Sequence, residues 1–376
     1  MTSDILILCS SDSRRDPRVI RQRVELEKNY SVKVLGSDFL GDSFSKQQHA
    51  GRSWRLSQFK LMMIGFFCPR LGAPKAYPIA KALWAPIFEQ RPTVIVCNDL
   101  ELLGCALMHK KQFGTKVIFD AHEYYPGQTS SVVQRLIHGR LRTELCRRID
   151  SEVDFSITVC ESIRNLYETN FGVKRMEIIW NCSKFLEIEP TQLEQNRPIR
   201  FVHHGLASPS REIENMIKVF ECLGPEYELN LILVGGKYKY RQKIIDLAES
   251  LDNVHLVPPV DFEEIVPMLS NYDMGLFLLP SNTINHRFAL PNKFFEFVQA
   301  RLGVIIWPSE EMKKVIHRFE FGLVTNKADV LSVVAAIKSL SREEVFELKK
   351  ASARASVELS SEREWRKLSE IVNSLN

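Results

Sequence analysis

The sequence has no C-x-x-C pair, no G-x-G-x-x-G, no P-loop and no D-x-D beside an expected strand, and its apolar runs are short. Its eight cysteines lie mostly among apolar neighbours, which suits reduced thiols in a cytosol and gives little support to a zinc site. The apolar stretch at residues 5–9 follows Asp4 and is too short for a signal-peptide core, so an unsecreted chain is expected. Residues 61–68 stop at Pro69 and Arg70, well short of the roughly 20 apolar residues of a membrane span. Glycine and proline, 17 of each, are too few for a collagenous or disordered chain when 45% of residues are hydrophobic. The 376 residues are more than one compact core usually holds, so two domains are expected.

Positive charge is abundant and unevenly placed. The net charge is +4, yet residues 1–190 hold 27 Lys or Arg against 21 Asp or Glu, and the remainder reverses the balance. Between residues 46 and 91, eight basic residues face only Glu89, among Trp54, Phe59, Phe66, Phe67, Tyr77 and Trp84. Cations mixed with large apolar groups suit an anionic bilayer surface. An amphipathic helix with one buried face is the competing reading, and nucleic acid a third, though no recognised binding module accompanies the charge.

β-Branched runs alternate with longer amphipathic stretches, the pattern of parallel sheets wrapped by helices. Strands are expected at 4–9, 32–36, 93–97, 116–120, 155–159 and 176–180, then, after a polar linker at 184–198, at 200–204, 229–234, 254–257, 274–279, 303–307 and 321–325. The expected class is α/β, with Rossmann-like domains at 1–185 and 186–360. Residues 361–376, with Trp365, Leu368, Ile371, Val372 and Leu375 at helical spacing, would return to the first domain.

Ligands of open parallel sheets sit beyond the carboxyl ends of the strands, which directs attention to the residues that follow each one. Pro291 before Asn292 and Lys293, with Gly303 after the apolar run, predicts a helix whose first turn carries Asn292 and Lys293. Free N–H groups and positive potential there suit a diphosphate. Glu296, one turn on, could accept from both hydroxyls of a ribose. Both residues read equally as the surface of an ordinary helix.

The stretch from Phe288 to Ile306, with Pro291-Asn292-Lys293 and Glu296, resembles the PNK-x-FE-Y-x-A-x-G-x-P-V-I signature of retaining GT-B glycosyltransferases in glycosyltransferase family 4. Asp16-Pro17-Arg18-Val19 looks like the D-P-R-V after the first strand in one branch of that family. Asp120-Ala121-His122-Glu123-Tyr124-Tyr125-Pro126 resembles its D-x-H-E-x-Y-P, His203-His204-Gly205 followed by Arg211 the opening of its donor domain, and Leu233-Val234-Gly235-Gly236 the next strand end. The resemblance implies a GT-B fold, two Rossmann-like domains facing a central cleft, and transfer of a sugar from a nucleotide-diphosphate sugar without a metal or other cofactor.

It also implies roles for residues. Arg211 and Lys293 would stabilise the departing diphosphate, with His122 facing the sugar; Gly205, Gly235, Val260, Leu290, Asn292 and Glu296 would line the nucleotide-sugar site. Asp16, Arg18 and Glu123 would meet the acceptor, and Asn98 and Asp99, which end the third expected strand, could meet its hydroxyls. The basic, aromatic segment at 46–91 makes a glycan or lipid-linked molecule of surface polysaccharide or glycolipid synthesis the leading acceptor, with a soluble acceptor the runner-up. Arg211 reads otherwise as a solvated cation, Gly205 as the end of a strand, and Glu123 as a partner of His122. Phe288 stands where the family usually has a first glutamate, which leaves open how the sugar is held, with His286 and Arg287 nearby. A sugar-nucleotide 2-epimerase of the same fold, or a non-catalytic scaffold beside an active transferase, are the alternatives. The expected location is the cytoplasm, peripheral to the inner face of the membrane, with nucleic acid not expected as a partner.

Overall fold

The computed structural model describes residues 4–41, 60, 63, 77–128 and 132–375. Most of the basic, aromatic segment at 46–91 lies outside the described residues. The chain forms two compact units: residues 1–180, 283–285 and 364–376 make the first, and residues 181–282 and 286–363 the second.

The first unit holds six parallel strands, β1 (Ile5–Leu8), β2 (Val32–Leu35), β3 (Val94–Cys97), β4 (Lys116–Ala121), β5 (Phe155–Thr158) and β6 (Met176–Ile178), ordered β2-β1-β3-β4-β5-β6. Helices cover both faces, so strands such as β1, Ile-Leu-Ile-Leu, are apolar at every position and wholly buried. Side chains still alternate between faces. Ile5 and Ile7 of β1, with Val94, Val96, Ile118 and Ile157, pack in one core with Trp365, Leu368, Ile371 and Val372. The helix Arg366–Leu375 thus returns to this unit, and each large side chain it buries contributes about 1.5–3 kcal/mol. It is pinned where β6 ends: the Trp180 N–H donates to Glu364 Oε2 (3.0 Å), and Lys367 Nζ donates to the Ile178 carbonyl (3.0 Å).

The second unit holds β7 (Ile199–Leu206), β8 (Tyr227–Val234), β9 (Val254–Leu256), β10 (Met274–Phe277), β11 (Gly303–Ile306) and β12 (Gly322–Val324), all parallel, in the order β12-β11-β10-β7-β8-β9. This is the doubly wound Rossmann order, and chain direction reverses between β7 and β10. All twelve strands fall where the β-branched runs predict them. No helix among the described residues is long and apolar enough to cross a membrane.

A buried charge cluster ties the second unit together. Asp273, fully buried at the start of β10, accepts from both Arg197 terminal nitrogens (2.6 and 2.9 Å), from the Arg200 N–H (2.9 Å) and from Lys349 Nζ (3.4 Å). Lys349 comes from the helix Arg342–Glu358 and also donates to Thr191 Oγ1 (2.8 Å) and the Tyr272 carbonyl (3.0 Å). Linker, two strands and a helix therefore meet on one carboxylate. Burial opposes its ionisation, but the Arg197 fork, the Arg200 N–H and Lys349 outweigh burial and hold Asp273 below the usual carboxylate range.

Asp273→Ala would strand two cations, one wholly buried, and is expected to cost about 3–5 kcal/mol in urea unfolding. Lys349→Met should cost less, because Asp273 keeps Arg197 and the Arg200 N–H. The folded pKa of Asp273 lies below the ordinary 3.8, so its ionic contribution is complete above that pH and lost as pH falls through the lower folded value. Wild-type stability should therefore fall more steeply below pH 4 than that of Asp273→Asn, measured by urea unfolding at stepped pH.

Candidate functional site

In the first unit, the expected residues gather at the carboxyl ends of β1, β3 and β4, where the strand order switches direction between β1 and β3. Asp16 caps the helix Pro17–Leu26, accepting from the Arg18 and Val19 N–H groups, and Ser11 Oγ donates to it (2.7 Å). Asp99 follows β3 and accepts from the Ser10 N–H at 2.6 Å. Burial pushes its pKa up; His122 and the Ser10 N–H pull it down, and Asp16 adds to the rise. His122 follows β4, its ring edge-on to Tyr125 (6.0 Å between centroids), and its buried Nδ1 has no hydrogen-bond partner among the described residues. Glu123, half-buried, accepts from Gln128 Nε2.

Two expected acceptor contacts are corrected. Arg18 is buried, its Nε and Nη2 donating to Asp120 (2.6 and 2.9 Å) and its Nη1 to the Ile179 carbonyl (3.2 Å), with the guanidinium 4.8 Å from the Trp365 ring centroid. Asn98 is equally buried, exchanging hydrogen bonds with Gln22 (2.8 Å each way) and donating to the Leu8 carbonyl (3.2 Å). Gln22 also donates to Asp120 (2.7 Å). Both residues therefore serve a polar network beneath the site, holding the strand ends that carry Asp99 and His122.

In the second unit, the helix Asn292–Gln299 begins after Pro291, which offers no side-chain cap, and residues 293–299 are buried all round. Phe294, Phe295, Phe297 and Val298 account for the apolar packing, so Lys293 and Glu296 are carried inside with them. Lys293 Nζ donates to the His204 carbonyl at 2.5 Å and lies 4.9 Å from the Phe277 ring centroid. Burial and then Arg211 push its pKa well down, while Glu296 opposes them. His204 Nε2 stands 3.2 Å from Glu296 Oε2.

Arg211 ends a short 3-10 turn, Pro209–Arg211, followed by Glu212 in the left-handed region (φ +45°). Glu212 accepts from Asn215 (2.9 Å) and Asn282 (3.3 Å). No carboxylate among the described residues pairs with Arg211, and burial alone pushes its pKa down. Half-buried, this cation lacks the partner that a charge withdrawn from water ordinarily finds. Leu290 is buried, with its carbonyl accepting from Asn181 (3.3 Å), whereas Val260 is exposed in the loop after β9.

Glycines make the space. At Gly205, with φ +128°, an added Cβ would come within 2.5 Å of Lys293 Nζ. Gly235 and Gly236, after β8, have φ +56° and +88°, and a Cβ on Gly236 would lie 2.0 Å from the Ala207 carbonyl oxygen. His203, His204 and Phe277 were absent from the expected site; two histidines at a strand end were the available signal for the first pair, whereas Phe277 reads as ordinary core. His203 Nδ1 donates to the Leu276 carbonyl (3.0 Å), and burial, then Lys293, pushes its pKa well down.

Gly205→Ala is expected to cost about 1–3 kcal/mol for its backbone conformation, plus the clash with Lys293. In a Lys293→Ala background the clash contribution should vanish and the backbone contribution remain, a coupling read from a double-mutant cycle of urea unfolding.

Residues 26–182 match the sequence model of Glycosyltransferase Family 4. No curated protein sequence matches the chain. Among solved structures, sucrose-phosphate synthase from Thermosynechococcus elongatus is similar at a TM-score of 0.72 and 16% identity, covering 99% of this chain and 98% of its own. HepE of Anabaena in complex with UDP-glucose is similar at 0.69 and 12%, covering 99% and 100%. A trehalose-6-phosphate synthase studied for glycosyl transfer with retention is similar at 0.62 and 13%, covering 99% of each chain. Two parallel six-stranded Rossmann-like sheets and these neighbours give the chain the GT-B fold, and its first unit the sequence likeness of glycosyltransferase family 4.

Proposed function

We propose that the chain is a glycosyltransferase that moves a hexose from a nucleotide-diphosphate sugar to a glycan or lipid-linked acceptor, with retention and without a metal. The observation that carries this reading is the pairing of Arg211, half-buried with no carboxylate partner among the described residues, with Lys293, buried within its electrostatic reach at the start of a helix. A diphosphate supplies the missing negative charge. The UDP-glucose held by HepE, and the retention studied in the trehalose-6-phosphate synthase, support the donor class and the stereochemistry.

In this reading, cleavage of the bond between the sugar anomeric carbon and the diphosphate leaves an oxocarbenium-like sugar and a more negative diphosphate. Arg211, Lys293 and the first N–H groups of the helix Asn292–Gln299 stabilise that added charge. The leaving diphosphate takes the proton of the acceptor hydroxyl, so no protein base is needed. Gly205 and Gly235 let backbone approach the phosphates, Glu296 accepts from the ribose, and Val260 and Leu290 complete the nucleotide side. His122 faces the sugar, with Asp16, Asp99 and Glu123 toward acceptor hydroxyls. The basic, aromatic composition of residues 46–91 supports placing this reaction at the cytoplasmic membrane, in synthesis of surface polysaccharide or glycolipid.

Calorimetric titration with UDP, GDP, ADP, CMP and TDP should find one tight ligand, unaffected by EDTA, with affinity reduced about 10–100-fold by Arg211→Ala or Lys293→Ala. No binding by any of the five would overturn the donor reading and favour a scaffold; sugar change without an acceptor would favour an epimerase. For the membrane, wild type should co-sediment with phosphatidylserine vesicles, and charge reversal at Arg52, Arg55 and Lys60 should release it. Equal sedimentation of both would end that part of the proposal.

A further inference from the structure

His204 touches three residues on one face of the helix that carries the nucleotide-binding groups. Its carbonyl accepts from Lys293 Nζ (2.5 Å), its ring Nε2 lies 3.2 Å from Glu296 Oε2, and its ring stands edge-on to Phe297 (5.4 Å, 88°). Positions 293, 296 and 297 are related as i, i+3 and i+4, so they form one ridge, and residue 204 opposes that ridge. Phe297 is itself seated against Gly275 of β10, where any Cβ would strike its ring at 2.5 Å. The imidazole is therefore fixed by packing, in a pocket it leaves 8% exposed.

At 3.2 Å the ring nitrogen and the carboxylate are within reach but are not aligned as a hydrogen bond, and Nε2 has no such bond to another described residue. Polar pairs in binding sites commonly tighten only around the ligand. Building on the donor reading above, we propose that His204 is the positioning residue for Glu296, donating from Nε2 to one carboxylate oxygen while the other accepts from the ribose diol. Burial, Lys293 and Arg211 push the ring pKa down to about 3, so the imidazole is neutral near pH 7. Of its two neutral tautomers, only the one with a proton on Nε2 avoids setting a lone pair against the carboxylate. A neutral donor orients the carboxylate without cancelling its charge, which an Arg or Lys in the same place would do. The backbone carbonyl of the same residue holds Lys293, so diphosphate and ribose recognition meet at residue 204 through different atoms.

That separation makes the test selective. Calorimetric titrations use UDP, GDP, ADP and CDP, their 2′-deoxy counterparts, and inorganic pyrophosphate. Wild type should prefer the ribose form of its nucleotide at least tenfold. In His204→Ala most of that preference should be lost while pyrophosphate affinity stays within twofold, because the carbonyl that holds Lys293 remains. His204→Gln, whose amide can donate from a similar position, should recover part of the preference, and Glu296→Gln should lose it with no further loss in the double variant. The proposal is overturned if His204→Ala keeps the ribose preference, or if pyrophosphate and nucleotides weaken alike, which is what a prop for the fold would give. Wild-type binding without ribose preference also overturns it and leaves the donor reading standing, whereas no binding of any nucleotide removes both.

Discussion

Lys293 is buried and Arg211 half-buried within electrostatic reach of one another, and Glu296 is the carboxylate among the described residues that offsets Lys293. Much of the local architecture of the second unit follows from that imbalance. Gly205 has no side chain where Lys293 must reach the His204 carbonyl, and Glu212 accepts a left-handed backbone that ends the turn carrying Arg211. The helix that carries Lys293 starts at a proline, which has no side-chain group to cap its N–H groups. Burial, and after it the charge of Lys293, lowers the pKa of both His203 and His204, as burial and Arg211 lower that of Lys293. An anion placed among these groups would raise the affinity of each neighbouring base for its proton and so offset the depression that burial and the two cations impose.

The cluster around Asp273 shows what the same chemistry looks like when it is structural. There a buried lysine and a half-buried arginine share one carboxylate, and a backbone N–H and a threonine hydroxyl complete the set. Arg18 with Asp120 in the first unit is a second instance, closed by Gln22 and Asn98. Burial alone therefore does not separate binding residues from framework residues in this chain. The separation proposed here lies in whether the charge already has its partner, and no carboxylate among the described residues pairs with Arg211.

This distinction explains what was legible in the sequence and what was not. Strands are legible because a parallel sheet covered on both faces demands continuous apolar runs, and β1 and β3 are such runs. Lys293 and Glu296 are legible because proline fixes a helix start three residues before Phe294 and places the polar pair one turn apart. Arg18 and Asn98 were misplaced because local sequence puts them beside strand ends but cannot reveal Asp120 or Gln22, which arrive from distant positions. His204 was passed over for the complementary reason: a histidine in a strand ordinarily reads as core, and only the packing of Phe297 against Gly275 fixes its ring beside Glu296.

The two switch points also differ in sign. At the first, burial and then the charge of Asp16 raise the pKa of Asp99, and His122 and the Ser10 N–H moderate the rise. At the second, Arg211 and Lys293 dominate, with Glu296 set back behind the helix start. A diphosphate is repelled by paired carboxylates and drawn to paired cations, whereas a neutral polyol gains hydrogen bonds from carboxylates at no such cost. Under the donor reading proposed above, the charge at each sheet end would favour a nucleotide at the second unit and a hydroxyl-bearing molecule at the first before any shape is matched. Substitutions that change sugar or acceptor preference would then act on contacts around these charges, while the choice of unit for each substrate would stay with Asp16 and Asp99 in one and Arg211 and Lys293 in the other.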